Sequence, residues 1–223
     1  MARNSTNTSE VTNNGVFALI SGPSGRGKTW LARTLPHNDT IIISKESGLL
    51  SLKGTNIKVE EIEDFNDLAE IVMEIKSGKI KETNIYIDSL TDIAETEMAE
   101  LKIIHPDKKD SFKSYDIYET KMKWMLKSLR DVKGKNIFFT CLVSSEKDGL
   151  VLVEKLELYG SKFADKIKKY FDECYYLKTF KTDEGDMRGL ITEEKEHPLA
   201  KSRSNLLPIE KADLTAIITK IRS

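Results

Sequence analysis

Apolar residues along the 223-residue chain fall into short continuous runs that alternate with longer segments of helical periodicity. Such runs, rich in Ile, Val and Phe, are typical of strands that are buried on both faces of a sheet. We predict five of these strands, at residues 16–20, 40–44, 57–62, 84–88 and 136–143. We predict helices at residues 28–35, 65–77, 91–104, 115–132, 161–171 and 210–222. The alternation predicts an α/β fold with a mostly parallel central sheet flanked by helices.

The last third of the chain has a different pattern. Residues 173–180 and 187–192 are separated by a polar turn segment, which predicts an antiparallel hairpin. Residues 150–153 and 155–159 predict a second hairpin that turns around Glu154. We therefore predict one domain over residues 15–223 with an antiparallel C-terminal extension. The polar residues 1–14 predict a disordered or loosely attached leader.

Composition narrows the picture only slightly. The net charge is −1, so bulk charge argues neither for nor against a nucleic-acid partner. The two cysteines, Cys141 and Cys174, have no C-x-x-C or metal-ligand spacing, which favours a reducing compartment. No apolar stretch reaches the ~20 residues of a membrane span, and no signal-peptide core begins the chain. We expect a cytoplasmic protein with no membrane partner.

The segment GPSGRGKT, at residues 22–29, matches the phosphate-binding pattern G-x-x-x-x-G-K-[ST] between a predicted strand and a predicted helix. Glycines let successive backbone N–H groups point at one phosphate, and a helix N-terminus adds partial positive charge. Lys28 is expected to reach the β- and γ-phosphates, and the Thr29 hydroxyl to ligate Mg²⁺. The predicted nucleotide-binding residues are Gly22, Pro23, Ser24, Gly25, Arg26, Gly27, Lys28, Thr29 and Trp30.

Two carboxylates are candidates for the rest of a nucleotide hydrolase site. Asp88 ends the strand NIYID, and the carboxyl ends of parallel strands are where such sheets bind ligands. We predict that Asp88 holds the water shell of the magnesium ion. Ser89, not Glu, follows Asp88, so the catalytic carboxylate must lie elsewhere. Glu46, just beyond the strand at 40–44, is the candidate that orients and deprotonates the attacking water. Its alternative interpretation is a surface glutamate in a loop.

A pair of cations follows the last predicted hairpin. Lys201 and Arg203 stand two residues apart, so their side chains point the same way if the backbone is extended. We predict that they reach the γ-phosphate bound by a neighbouring subunit, as an arginine finger supplied in trans. A solvated K-x-R pair is the alternative.

In order and spacing the chain resembles the RecA-like phage ATPases of the single-strand annealing type. The resemblance covers roughly residues 15–222 and is carried by GPSGRGKTWLARTLP, KESGLLSL, IYIDSLTDI, NIFFTCL, YGSKFADKIKKYFDECYYL, RGLITEEK and AKSR. It implies a RecA-like P-loop NTPase that binds ATP and Mg²⁺, hydrolyses ATP, binds single-stranded DNA and promotes annealing or homologous recombination. It gives Lys28, Thr29, Glu46, Asp88, Lys201 and Arg203 the roles described above.

The resemblance further implies a homo-oligomer, a ring or filament, and a single-strand-binding protein as a partner. A phage-encoded protein would act in the host cytoplasm. The family's polar sensor falls at Thr140–Cys141, without the Gln common in recombinases. The candidate DNA segments are residues 105–118 and 144–160; the first carries cations and aromatics that suit a single strand, namely Lys108, Lys109, Phe112, Lys113, Tyr115 and Tyr118. A core-facing amphipathic helix explains the same pattern.

Two other functions are compatible with a phosphate loop. One is a nucleotide-dependent switch or scaffold, with little turnover, for a replication or defence complex. The other is a small-molecule or nucleotide kinase, which the absence of an Arg-rich lid segment disfavours.

Overall fold

A single mixed sheet organises the described part of the chain, residues 15–45, 49–106, 111–148, 151–183 and 185–223 of a computed structural model. The strands are β1 (Phe17–Gly22), β2 (Thr40–Ser44), β3 (Lys58–Glu61), β4 (Asn84–Asp88), β5 (Asn136–Asp148), β6 (Val151–Leu156), β7 (Glu173–Thr182), β8 (Gly185–Ile191) and β9 (Ile209–Lys211). Their order is β3-β2-β4-β5-β1-β7-β8-β9, and β6 pairs with β5. The α-helices are α1 (Phe65–Ser77), α2 (Leu90–Ile104), α3 (Ser111–Arg130), α4 (Ser161–Lys166) and α5 (Leu214–Arg222). The predicted leader at 1–14 lies outside the described residues.

The strands from β3 to β7 in this order run parallel, as the sequence pattern predicts. Alternate residues of β1 face the two layers that cover the sheet. Phe17 and Leu19 pack with α1, α2 and α3, while Ala18 and Ile20 pack with α5 and a short 3₁₀ helix. Burial on both faces explains the continuous apolar runs.

The antiparallel C-terminal extension is confirmed. β7 and β8 form the predicted hairpin, and β9 adds a further antiparallel strand. The hairpin predicted around Glu154 is wrong, because β6 runs straight through this residue and pairs with the outer half of β5. The dipeptide Asp-Gly at 148–149 is a common turn signal in a sequence. β5 thus extends beyond its predicted end at residue 143.

Two helix predictions need correction at their ends. The segment predicted as a helix from residue 210 begins with β9, and α5 starts only at Leu214, with the Asp213 side chain accepting a hydrogen bond from the Ala216 backbone N–H. The segment 161–171 is α4 followed by a 3₁₀ helix, Ile167–Tyr170. Among the described residues, no helix combines the length and the apolar composition that crossing a membrane requires.

Candidate functional site

A cleft of about 440 Å³ opens at the carboxyl edge of the parallel strands. The phosphate-loop segment forms one wall, and the ends of β2, β4 and β5 form the floor. Lys28, Thr29, Trp30 and Asp88, all predicted from sequence, line this cleft. The structure therefore brings the loop and the acidic strand end together.

Glycines shape the loop at the points where other residues would be strained. Gly25 and Gly27 have φ of 72° and 95°, in the left-handed region that L side chains rarely adopt. Gly22 ends β1 against β7, where an added Cβ would lie 3.1 Å from the carbonyl oxygen of Leu177. These positions leave the backbone free to face the cleft, as a phosphate cradle requires.

The Lys28 ammonium is turned into the loop. Its Nζ donates to the carbonyl oxygens of Gly22, at 2.8 Å, and Pro23, at 2.9 Å. Burial lowers the pKa of Lys28, and the negative charges of Asp88, Glu157 and Asp92 oppose that effect. Carbonyl dipoles compensate the buried cation only partly, so a phosphate entering the cleft would meet an available positive charge.

The segment after the loop differs from the prediction. Residues 29–34 form a 3₁₀ helix, not the first turns of an α-helix, and Leu35 is already extended before Pro36. Proline disfavours helical backbone at the residue before it, so only six residues can wind between the loop and Pro36. A 3₁₀ helix of six residues contributes less partial positive charge at the loop than a long α-helix would.

Tyr86 anchors the loop from below, a role that sequence reasoning missed. Its ring is fully buried in β4, and its hydroxyl donates to the backbone carbonyl of Lys28 at 2.6 Å. Burial raises the pKa of Tyr86 well above its usual value, so the hydroxyl keeps its proton. The strand that carries Asp88 thereby also fixes the position of Lys28.

Asp88 ends β4 directly opposite Ser44 of β2. The buried Thr140 hydroxyl, one strand away on β5, donates to the Asp88 carboxylate. The predicted polar sensor position Thr140–Cys141 is therefore in contact with the acidic strand end. Thr29 and Asp88 line the same cleft and offer the oxygen donors that Mg²⁺ prefers. Both residues fit a magnesium site.

A second carboxylate, Asp92, lines the cleft beside Asp88 and was not predicted. Ser89 caps α2 by accepting the Asp92 backbone N–H at 3.2 Å, and its hydroxyl donates to the Asp92 carboxylate. The S-x-x-D spacing of SLTD places the two side chains for this contact, because Asp92 is the third residue of the helix that Ser89 caps. It fixes the acidic side chain at the cleft.

A family model described as an AAA domain matches residues 14–204. The chain belongs to this AAA-domain family. The match covers well over half of the chain, and a search of curated proteins finds no match. The family indicates a nucleotide-binding P-loop ATPase, in agreement with the cleft, and AAA P-loop ATPases generally use ATP and Mg²⁺.

The residue that the sequence predicts to activate the attacking water is Glu46. Glu46 lies outside the described residues, because the described segment before it ends at Lys45. Ser44 lines the cleft and stands two positions before Glu46. The role of Glu46 as the water-activating residue stays a prediction.

Lys201 and Arg203 lie at the amino edge of the sheet, away from the cleft of their own chain. Lys201 pairs with Cys174 next to the start of β7, and its Nζ donates to the carbonyls of Lys168 and Phe171, at 2.9 and 2.6 Å. Arg203 forms an ion pair with Asp172 at 2.7 Å. A role in ATP binding would have to be in trans, and this stays a prediction.

Arg188 is the cation that sequence reasoning missed at the cleft. It belongs to β8 and lines the cleft together with Gly27 and Lys28. Its position follows from the sheet order, because β8 is joined through β7 to β1. No sequence motif predicts this order of the strands in the sheet.

Proposed function

We propose that this AAA domain binds ATP with Mg²⁺ in the cleft and hydrolyses it. One observation carries the proposal: Lys28, Thr29 and Asp88 line a single cleft at the carboxyl edge of a parallel sheet. A cation, a hydroxyl and a carboxylate are the set that phosphoryl transfer with a divalent ion requires.

In this proposal, the glycine loop binds the phosphates through backbone N–H groups, and Lys28 leaves the carbonyls of Gly22 and Pro23 to meet the β- and γ-phosphates. Thr29 and Asp88 hold the magnesium ion, which would neutralise charge that develops on the phosphate oxygens. Thr140 keeps the Asp88 carboxylate oriented. Glu46 positions and deprotonates the attacking water.

We further propose that the protein binds single-stranded DNA and promotes annealing or homologous recombination, which rests on the sequence resemblance. Phe112, Lys113 and Tyr115 support it, because all three are exposed at the start of α3 and suit base stacking and backbone contact. Tyr118 does not belong to such a surface, since it is buried against Tyr159 in the core. Lys108 and Lys109 lie outside the described residues.

The pairing of β5 with β6 and the exposed residues on both strands support DNA binding by the second candidate segment, residues 144–160. β5 lines the cleft at Leu142 and then continues as an antiparallel pair with β6. Lys147 on β5 is exposed, and Leu152 on β6 is 62% exposed, so both are available to a ligand. A strand pair that starts at the cleft offers a direct link between nucleotide and DNA.

We propose an oligomer, a ring or filament, in which Lys201 and Arg203 act in trans and to which a single-strand-binding protein delivers DNA in the cytoplasm. The amino-edge position of Arg203 supports this, because stacking one subunit on the next would bring an amino edge to a carboxyl edge. Its side chain is 50% exposed despite the ion pair with Asp172.

The decisive experiment is an ATPase assay with and without single-stranded DNA, read beside the particle mass under each condition. We expect turnover that DNA stimulates, and its loss in Lys28→Ala. Lys76→Ala, which removes an exposed lysine from α1, is the matched control and should leave turnover unchanged. Unchanged turnover in Lys28→Ala would remove the ATPase proposal. Nucleotide binding without turnover under any condition would favour a switch or scaffold.

The trans arrangement has a separate test. Arg203→Ala should reduce hydrolysis while an isolated subunit still binds nucleotide. Mixing it with Glu46→Ala protein should restore activity, because each variant supplies the residue that the other lacks across the interface. Absence of rescue at every mixing ratio would count against the trans role.

A further inference from the structure

Arg188 reaches the phosphate loop because the β7–β8 hairpin is longer than the strand beside it. β1 ends at Gly22, and its register pairs Ser21 with Tyr176 of β7. β7 continues past that point, and Arg188 of β8 is paired with Thr179, three residues further on. The hairpin therefore extends beyond the carboxyl edge of β1 and places Arg188 beside the loop.

The guanidinium lies against two residues of the loop segment. Its Cζ stands 4.9 Å from the centroid of the Trp30 ring, a cation–π contact. A Cβ added to Gly27 would lie 3.0 Å from Cζ and 3.1 Å from Nε of Arg188. Gly27 thus leaves the room that the guanidinium occupies.

This arginine has no acidic partner among the described residues. Within them, no carboxylate forms an ion pair with Arg188 and its guanidinium makes no hydrogen bond, although its neighbours in the cleft include Asp88 and Asp92. The cation–π contact with Trp30 uses no N–H···O hydrogen bond, so the N–H groups of the guanidinium stay free to donate. A planar fork of free donors suits bidentate binding of phosphate oxygens.

We propose that Arg188 is a phosphate-binding residue for the nucleotide held by its own chain. The loop amides at Gly27 to Thr29 are those that cradle the α- and β-phosphates in this motif, so Arg188 contacts that part of the ligand. The ligand class is nucleoside di- and triphosphates. This inference rests on the proposed nucleotide binding and differs from the trans role of Lys201 and Arg203, because the arginine acts within one subunit.

The test is equilibrium binding of Mg–ADP and Mg–ATP to Arg188→Ala, measured by calorimetry at protein concentrations where the wild-type chain is monomeric. Loss of a charge-assisted contact to an α- or β-phosphate predicts weakening of about 10- to 100-fold for both nucleotides. Arg188→Lys should fall between Arg188→Ala and the wild type, since a lysine keeps the charge but not the fork. Lys181→Ala removes an exposed cation from the same hairpin, outside the cleft, and should bind as the wild type does.

Different results identify different failures. ADP affinity of Arg188→Ala and Arg188→Gln within about twofold of the wild type would overturn the inference while leaving the proposed function intact. An equal loss in Lys181→Ala would also overturn it, because bulk charge would then explain the effect. Wild-type protein that binds neither nucleotide would overturn both proposals. Thermal melts of the ligand-free variants, expected to match the wild type, separate lost contacts from lost folding.

Discussion

Replacing Tyr86 by Phe removes one hydroxyl and leaves the buried ring in place. That hydroxyl donates to the Lys28 carbonyl at 2.6 Å, from a side chain that is fully buried in β4. The change therefore breaks the link between the floor of the cleft and the phosphate loop without opening a cavity. It tests whether the sheet positions the loop or the loop holds its own shape.

The expected loss of stability is modest. The Lys28 carbonyl also accepts the backbone N–H of Leu31, at 3.1 Å, so it keeps one partner when the hydroxyl is gone. The loss is then that of one neutral hydrogen bond, about 1 kcal/mol, which corresponds to roughly 2–4 °C in Tm for a chain of this size. Nucleotide affinity should fall as well, because Lys28 loses a constraint on its backbone.

Urea unfolding and nucleotide titration measure the two effects separately. Tyr170→Phe is the matched control, since Tyr170 is buried away from the cleft and its hydroxyl makes no hydrogen bond within the described residues. We expect that control to change neither quantity. A Tyr86→Phe variant with wild-type stability and wild-type affinity would refute the claim that β4 anchors the loop.

Three further predictions concern the N-cap of α1, the protonation of His197 and the Asp88 carboxylate. Asp64→Ala removes the acceptor for two backbone N–H groups and should cost about 1 kcal/mol in chemical denaturation, whereas Glu70→Ala on the same helix should change stability by less than about 0.5 kcal/mol. Burial lowers the pKa of His197 below 6.5 in the folded chain, so the unfolded chain binds this proton at a higher pH than the folded chain does. The contribution of His197 to stability is therefore present above pH 6.5 and is lost as the pH falls. His197→Gln should show a smaller loss of unfolding free energy between pH 7 and pH 5. Thr140→Val leaves the Asp88 carboxylate without its hydroxyl donor and should raise the Mg²⁺ concentration for half-maximal turnover by about 10-fold or more; an unchanged Mg²⁺ dependence would contradict that role.

Sequence reasoning worked best where one local segment carries both the structure and the chemistry. The phosphate loop and the acidic end of β4 were predicted because a motif or a strand pattern fixes each of them within a few residues. The helix after the loop was predicted close to its observed ends, 28–35 against Thr29–Thr34, but it is a 3₁₀ helix and not an α-helix.

Contacts between distant segments could not be predicted in the same way. Tyr86 and Lys28 are 58 residues apart in sequence, and only the order of the parallel strands brings them together. Arg188 is further still from the loop, and its place depends on the relative lengths of β1 and the β7–β8 hairpin. Propensity and periodicity describe one element at a time, so they do not say how far a hairpin extends past a neighbouring strand of the folded sheet.

The central claim is that the cleft binds nucleotide phosphates on Lys28, and the fluorescence of Trp30 tests it most directly. The chain has two tryptophans, so Trp124→Phe leaves Trp30 as the sole reporter beside the loop. We predict that Mg–ATP changes this fluorescence saturably, and that adding Lys28→Ala weakens binding by about 100-fold or abolishes it. The same Kd with and without the Lys28 side chain would contradict the account.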